Sequence, residues 1–177
     1  MNTQKVRKVV IVGGGTAGWV AAASVAKLLG KNLDISLIES DEIGTVGVGE
    51  ATIPTLITLH QLLKIDEREF MAAVQGTFKL GISFENWRDV GKDYIHSFGF
   101  TGKDCWAAGF VHFWLKARQQ GIKADFGEYC SELMAAKANK FAVFKPDGLN
   151  YAYHMDASLY AKFMRKIAEQ HGCKRIE

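Results

Sequence analysis

The sequence is poor in cysteine, even in charge and without a long apolar run, and each shortage closes off a class of protein. Three cysteines in 177 residues, Cys105, Cys130 and Cys173, are odd in number and widely spaced. They form neither a C-x-x-C pair nor a disulfide framework, which points to a reducing, cytoplasmic compartment. The histidines at 60, 96, 112, 154 and 171 have no paired ligand spacing, so no metal site is expected. No G-x-S-x-G elbow supports a serine hydrolase, and no phosphate-binding G-x-x-x-x-G-K loop supports ATP hydrolysis. The first apolar run is cut short by glycines and so does not read as a signal peptide. No stretch approaches the roughly 18 apolar residues of a membrane span. The formal net charge is only +3, with Lys and Arg scattered among Asp and Glu, so neither nucleic acid nor membrane is expected as a partner. What remains is an ordinary soluble composition, 48% hydrophobic and 23% charged, long enough for one domain with a sizeable core.

The informative part of the chain is its beginning. Val9-Val10-Ile11-Val12 is a β-branched run that reads as a buried strand. It breaks into Gly13-Gly14-Gly15-Thr16-Ala17-Gly18, and an alanine-rich helical segment follows to Leu29, with Gly30 as its cap. Gly13, Gly15 and Gly18 occupy the three glycine places of the dinucleotide-binding fingerprint. There they allow the tight turn, the approach of backbone to pyrophosphate, and the packing of helix on strand. The helix N-terminus offers unpaired N–H groups and a partial positive charge to phosphates. Leu33 to Ile38 reads as a second parallel strand, and Glu39 stands at its carboxyl end, where the fold places an acid for a ribose hydroxyl. A strand-end carboxylate without a ligand is the alternative. An acid here also disfavours a 2′-phosphate.

Further along, Ile43 to Pro54 carries three glycines among small residues, an extended segment or a plain loop. Helices are expected at 55–63 and 67–74. Gly76 to Trp87 reads as one strand, with Phe78, Leu80, Ile82 and Phe84 on one face and Lys79, Gly81, Ser83 and Glu85 on the other. By that alternation Lys79 is a solvent-exposed strand lysine. An aromatic loop runs from Tyr94 to Phe100. A helix over 105–120 would carry Trp106, Phe110, Phe113 and Trp114 as core residues, and another is expected over 128–138. Phe141 to Phe144 and Tyr151 to His154 flank Pro146-Asp147-Gly148 and suggest a hairpin. A last helix runs from about Asp156, read as its N-cap, to Gln170, and Lys174 to Glu177 looks like another strand. Two strands and a crossover are too few for a doubly wound sheet, so 1–177 is expected to be the N-terminal part of a single larger domain.

The quoted motifs resemble those of the flavin-dependent tryptophan halogenases. The resemblance lies in Gly13 to Trp19, in Gly47-Val48-Gly49-Glu50-Ala51-Thr52-Ile53-Pro54, and in Phe78-Lys79 followed by Phe84 and Asn86-Trp87. The loop from Tyr94 to Gly99 and the run Tyr153-His154-Met155-Asp156-Ala157 extend it across nearly the whole chain, in family order. It implies an α/β, Rossmann-like FAD-binding fold of the flavin monooxygenase type, incomplete at the C-terminus. It also implies FAD as cofactor, in reduced form supplied by a separate flavin reductase, with O2 and halide as co-substrates. Hypohalous acid formed there would travel through a tunnel to a lysine, which holds it by hydrogen bonding or as a haloamine and halogenates an aromatic small molecule.

Lys79 matches that catalytic lysine, which overturns its reading as an exposed residue. Flavin contacts are implied for Gly13, Gly14, Gly15, Thr16, Ala17, Gly18, Glu39, Ser40, Ile43, Val46, Gly49, Glu50 and Ala51, the later ones forming a strap between two sites. His96 and Phe98 match aromatic positions against the substrate. The family's Trp-x-Trp-x-Ile-Pro signature and its later glutamate are absent, as truncation would produce. The segment between Gly99 and His154 is short beside tryptophan-specific members, which leaves indole or another aromatic open beside tryptophan. An aromatic monooxygenase of the same fold, or a non-catalytic nucleotide-binding module, are the alternative readings.

Overall fold

In the computed structural model, which describes residues 5–43, 49–143 and 148–177, the chain begins with β1 (Lys8–Val12), α1 (Thr16–Leu29), β2 (Asp34–Ile38) and β3 (Gly49–Ala51). Then come α2 (Thr55–Leu62), α3 (Glu67–Ala73), β4 (Thr77–Lys79), β5 (Gly81–Glu85) and β6 (Asp93–Ser97). The remainder is α4 (Phe110–Gln119), α5 (Ser131–Lys137), β7 (Ala152–Asp156), α6 (Ala157–Gln170) and β8 (Lys174–Ile176). These elements divide into two units. One comprises Met1–Ala51, Thr55–Thr77 and His154–Glu177; the other comprises Thr52–Pro54 and Phe78–Tyr153. No described helix is long and apolar enough to cross a membrane.

The first unit is built on a parallel sheet in the order β1-β2-β8. Val9 pairs with Ile35 and Ile11 with Leu37, while Leu37 also lies opposite Arg175. A parallel neighbour needs a crossover, and α1 and α6 supply the two that this sheet requires. The helices pack on each other through small residues: Ala22, Ala23 and Ala26 of α1 and Ala161 and Ala168 of α6 are all buried. The cap of α6 is the one the sequence predicts, Asp156 accepting from Ser158 N at 2.8 Å and Leu159 N at 3.0 Å. Those hydrogen bonds lower the Asp156 pKa, the Ser158 side chain foremost. A second cluster joins the rings of His60, Phe70, Tyr160 and Phe163, with the His60 and Phe70 rings 4.5 Å apart, and Leu63 and Val74 are also buried. Among the described residues nothing covers the other face of the parallel sheet, where Val10, Val12, Ile38 and Ile176 are exposed. Parallel sheets are ordinarily covered on both faces.

In the second unit β5 and β6 form an antiparallel hairpin, from Gly81 opposite Ser97 to Glu85 opposite Asp93. Asn86 and Gly91 take positive φ in its turn, where Asn86 N donates to Asp93 and Gly91 N to Asn86. Helix α4 packs by Phe110 on Tyr129 and by Trp114 on Phe126, and the Trp114 indole donates to Ala124 O. Phe78, Phe141, Tyr151 and Tyr153 form an aromatic group, with Phe78 and Phe141 stacked at 4.2 Å.

Four expectations fail. The run Val9 to Val12, expected as a buried strand, has no buried residue, because one face of its sheet is uncovered among the described residues. The strand expected from Gly76 to Trp87 is broken at Leu80 into β4 and β5, which have different partners. Alternation is lost with the break: Lys79 and Leu80 are both buried while Phe78 is 39% exposed. The hairpin expected between 141–144 and 151–154 does not form among the described residues. Phe141 to Val143 is not strand, and β7 instead pairs antiparallel with β3, Glu50 opposite Met155. Tertiary pairing has overridden the local turn signal. The helix expected from Cys105 starts only at Phe110, which leaves Trp106 fully exposed, and no α4 residue is buried.

Candidate active site

The glycine turn after β1 is stereochemically specific. Gly13 has φ +110°, a backbone that side-chain-bearing residues rarely adopt, and its N–H donates to Ile38 O at 2.8 Å. A Cβ on Gly18 would lie 1.8 Å from Gly13 O, so this glycine is what lets the helix sit against the turn. A Cβ on Gly14 would lie 1.5 Å from Glu39 Oε2, which shows that the carboxylate lies across the backbone there. Gly15, the residue before α1, has only open space where its Cβ would be, and no side chain caps the helix. The first-turn N–H groups therefore face a cavity of about 750 Å³. Gly13, Gly14, Gly15, Thr16, Ala17, Glu39, Ser40, Ile43 and Glu50 line it. Of the other residues assigned to the cofactor, Gly18 serves helix packing, Gly49 and Ala51 lie on β3 outside this lining, and Val46 lies outside the described residues. The size suits a bound organic ligand.

Glu39 is not the lone acid of the sequence reading. Arg175 Nε donates to Oε1 at 2.6 Å, Arg165 Nη1 stands 3.5 Å from the same oxygen, and the Trp19 indole N–H donates to Oε2 at 3.2 Å. Arg175 also pairs with Asp41 and, at 3.5 Å, with Glu177. Its hydrogen bond to Glu39 raises the Arg175 pKa. Arg165 in turn covers the Trp19 ring at 5.5 Å. A carboxylate has about four acceptor sites, so after these two hydrogen bonds and the Arg165 ion pair at least one remains for a ribose hydroxyl. Arg165 and Arg175 escape sequence reading because they lie 126 and 136 positions beyond Glu39 (165 − 39 and 175 − 39).

In the second unit Lys79 is 7% exposed. Its ammonium donates to Thr52 O at 3.0 Å and lies 5.4 Å from the centre of the Phe98 ring. No ion pair joins it to a carboxylate among the described residues, and burial lowers its pKa from the ordinary lysine value. Phe98 is placed by its own N–H, which donates to Leu80 O at 2.9 Å. The structure thus brings Phe98 to Lys79. His96 stands opposite Ile82 on β6 and is exposed, and no contact joins it to the lysine.

Behind the Phe98 segment lies a buried polar group that sequence reading missed. Glu132, 5% exposed, accepts from Asn150 N at 2.8 Å and from the Cys130 thiol at 3.7 Å. The Cys130 sulfur is 3.1 Å from Ser97 Oγ, and a Cβ on Gly99 would lie 1.8 Å from Glu132 Oε2. A glutamate in a first helical turn ordinarily reads as a solvated, dipole-favoured residue, which hides this burial.

A family model described as "Tryptophan halogenase" matches residues 8–177. Tryptophan 7-halogenase RebH of Lentzea aerocolonigenes is 36% identical, aligned over 98% of this chain and 36% of its own length. Among solved structures, a flavin-dependent halogenase from Xanthomonas campestris superimposes with a TM-score of 0.94 at 64% identity, over 98% of this chain and 35% of that one. BrvH, a flavin-dependent halogenase from Brevundimonas sp. BAL3, gives 0.88 at 40% identity, over 98% and 35%. The chain therefore spans about a third of the length of these relatives.

Proposed function

Because the chain belongs to the tryptophan halogenase family, we propose that it is the N-terminal part of an FAD-dependent halogenase acting on an electron-rich aromatic such as tryptophan or indole. The observation that carries the reading is Lys79, a buried lysine with no carboxylate partner among the described residues, held by a carbonyl and facing an aromatic ring. The partial span fits the open apolar face of the parallel sheet, which further chain would cover. The cytoplasm is the proposed setting, and all three cysteines are free thiols.

The glycine cradle fits a Rossmann-like FAD site. Its backbone N–H groups and the N-terminus of α1 would hold the pyrophosphate, and the remaining acceptor site of Glu39 a ribose hydroxyl. Reduced flavin, delivered by a separate reductase, would supply with O2 the oxidising equivalents that turn halide into hypohalous acid. Lys79 then has two ways to act. As ammonium it spends one N–H on Thr52 O and keeps two to polarise hypohalous acid. As amine, which burial favours, it forms an N–halogen bond and releases water. Either way halogen passes to the ring carbon, the electron pair of the broken N–halogen or O–halogen bond stays on nitrogen or oxygen, which is protonated to the amine or leaves as water, and the ring loses a proton. Exclusion of water protects the electrophile.

The test uses the full-length polypeptide with an aromatic substrate, bromide, O2 and a flavin reductase regenerating reduced FAD. A product with the bromine isotope doublet is expected, and Lys79→Ala should abolish it while leaving flavin bound. Halogenation that survives Lys79→Ala refutes the assignment, and a hydroxylated product would make the enzyme a monooxygenase.

A further inference from the structure

Resting on the assignment of Lys79 as the halogen carrier, we propose that Thr52 is its positioning residue, the Thr52 hydroxyl replacing a backbone acceptor so that the Thr52 carbonyl is free to hold the lysine. The geometry is an interrupted ladder. β3 and β7 pair antiparallel, ending with Ala51 opposite His154, so Thr52 falls next, opposite Tyr153. In a regular hydrogen-bonded pair the two residues exchange both N–H···O bonds. Here only one of them forms: Thr52 N donates to Tyr153 O at 2.9 Å. Tyr153 N donates at 3.0 Å to Thr52 Oγ1 and not to the carbonyl. The same hydroxyl donates its proton to Tyr153 O at 3.1 Å.

Every polar atom of the threonine is thereby used. Its N–H and hydroxyl clamp it to Tyr153, which is 1% exposed, and its carbonyl receives Lys79 Nζ at 3.0 Å. A hydroxyl-less residue at 52 would remove the Oγ1 acceptor that the Tyr153 N–H uses, and Thr52 O, the acceptor in a regular antiparallel pair, stands ready to take its place. Restoring the regular pair in that way takes the carbonyl from the lysine. The ammonium would lose a bond that favours its charged form, and the aim of Nζ would be lost with it. Thr52 touches none of the reacting atoms and acts only through Lys79.

Three variants of the full-length polypeptide test this: Thr52→Val, the isosteric change without a hydroxyl; Thr52→Ala, which leaves room for water; and Thr52→Ser, which keeps the hydroxyl. The first readout is competitive acetylation of Lys79 with acetic anhydride as a function of pH, followed by mass spectrometry of the peptide. It needs neither flavin nor turnover. Thr52→Val and Thr52→Ala should move the labelling midpoint of Lys79 to lower pH, and Thr52→Ser should keep the wild-type midpoint. The second readout is bromination, for which we expect kcat to fall at least 10-fold in the Val variant, KM for the aromatic unchanged, with serine restoring the rate. A wild-type midpoint in the Val or Ala variant, or a displaced one in the serine variant, overturns the proposal, and the serine arm decides should the others fail to fold. Should Lys79→Ala retain halogenation, the assignment of Lys79 as the halogen carrier fails, while the labelling midpoints still decide whether Thr52 holds this lysine.

Discussion

The buried imidazole of His60 makes a quantitative prediction about stability against pH. Its Nε2 lies 2.9 Å from Tyr160 Oη, its ring packs edge-on against Phe70, and it is 4% exposed. Burial lowers its pKa from 6.5 to about 4, against a smaller opposing pull from Glu67. The same burial, reinforced by Glu50, raises the Tyr160 phenol well above its ordinary value. His60 is therefore neutral in the folded protein over the pH range in which the unfolded chain protonates it. Because the unfolded state binds the extra proton, stability is full above pH 6.5 and falls as the pH drops toward 4. The two pKa values set the size: about 1.4 kcal/mol is lost by pH 5.5, about 2.5 kcal/mol by pH 4.5, and about 3 kcal/mol once the folded form also protonates. Urea unfolding at pH 7.5, 5.5 and 4.5 measures it, with His60→Gln as the reference that cannot titrate. The variant should be less stable at pH 7.5 and should lose about 2.5 kcal/mol less than wild type on going to pH 4.5. Parallel losses in the two proteins would refute the reasoning, as would an imidazole resonance of His60 titrating near 6.5.

The glycine turn separates packing from binding. Gly18→Ala drives a methyl group into Gly13 O and should cost about 3 kcal/mol of stability by thermal unfolding, whereas Gly15→Ala meets open space and should melt like wild type while weakening FAD binding about 10-fold by fluorescence titration. For the buried Glu132, alanine leaves Asn150 N without its acceptor and should cost about 2 kcal/mol in urea unfolding. Unchanged stability would mean that the group is not buried.

The parts legible in the sequence are those whose signals are local. The β-branched run, the glycines and the alanine-rich helix lie within about 20 residues of one another, and turn, helix start and strand follow where expected. Asp156 reads as a cap because capping needs only the next three residues. Lys79 is the contrary case. Alternation says which residues share a face and cannot say which face is buried. Here it also breaks, because the neighbour of β4 is β7 whereas β5 pairs with β6. The motif resemblance selected Lys79 all the same. The surroundings of Lys79, a carbonyl presented by Thr52 and a ring presented by Phe98, depend on residues 27 positions before it and 19 after it (79 − 52 and 98 − 79).

By itself, then, the sequence determined the glycine turn between strand and helix, the order of most elements and the family, since these rest on short-range steric rules and on motifs readable in one dimension. Only the tertiary structure decided what surrounds the charges. Glu39 became a paired acid through Arg165 and Arg175, Glu132 and His60 became buried groups, and Lys79 became a desolvated one. The physical reason is that burial and electrostatic partnership belong to contacts between distant segments. A pattern along the chain fixes the backbone's local choices and leaves those contacts to be settled by packing.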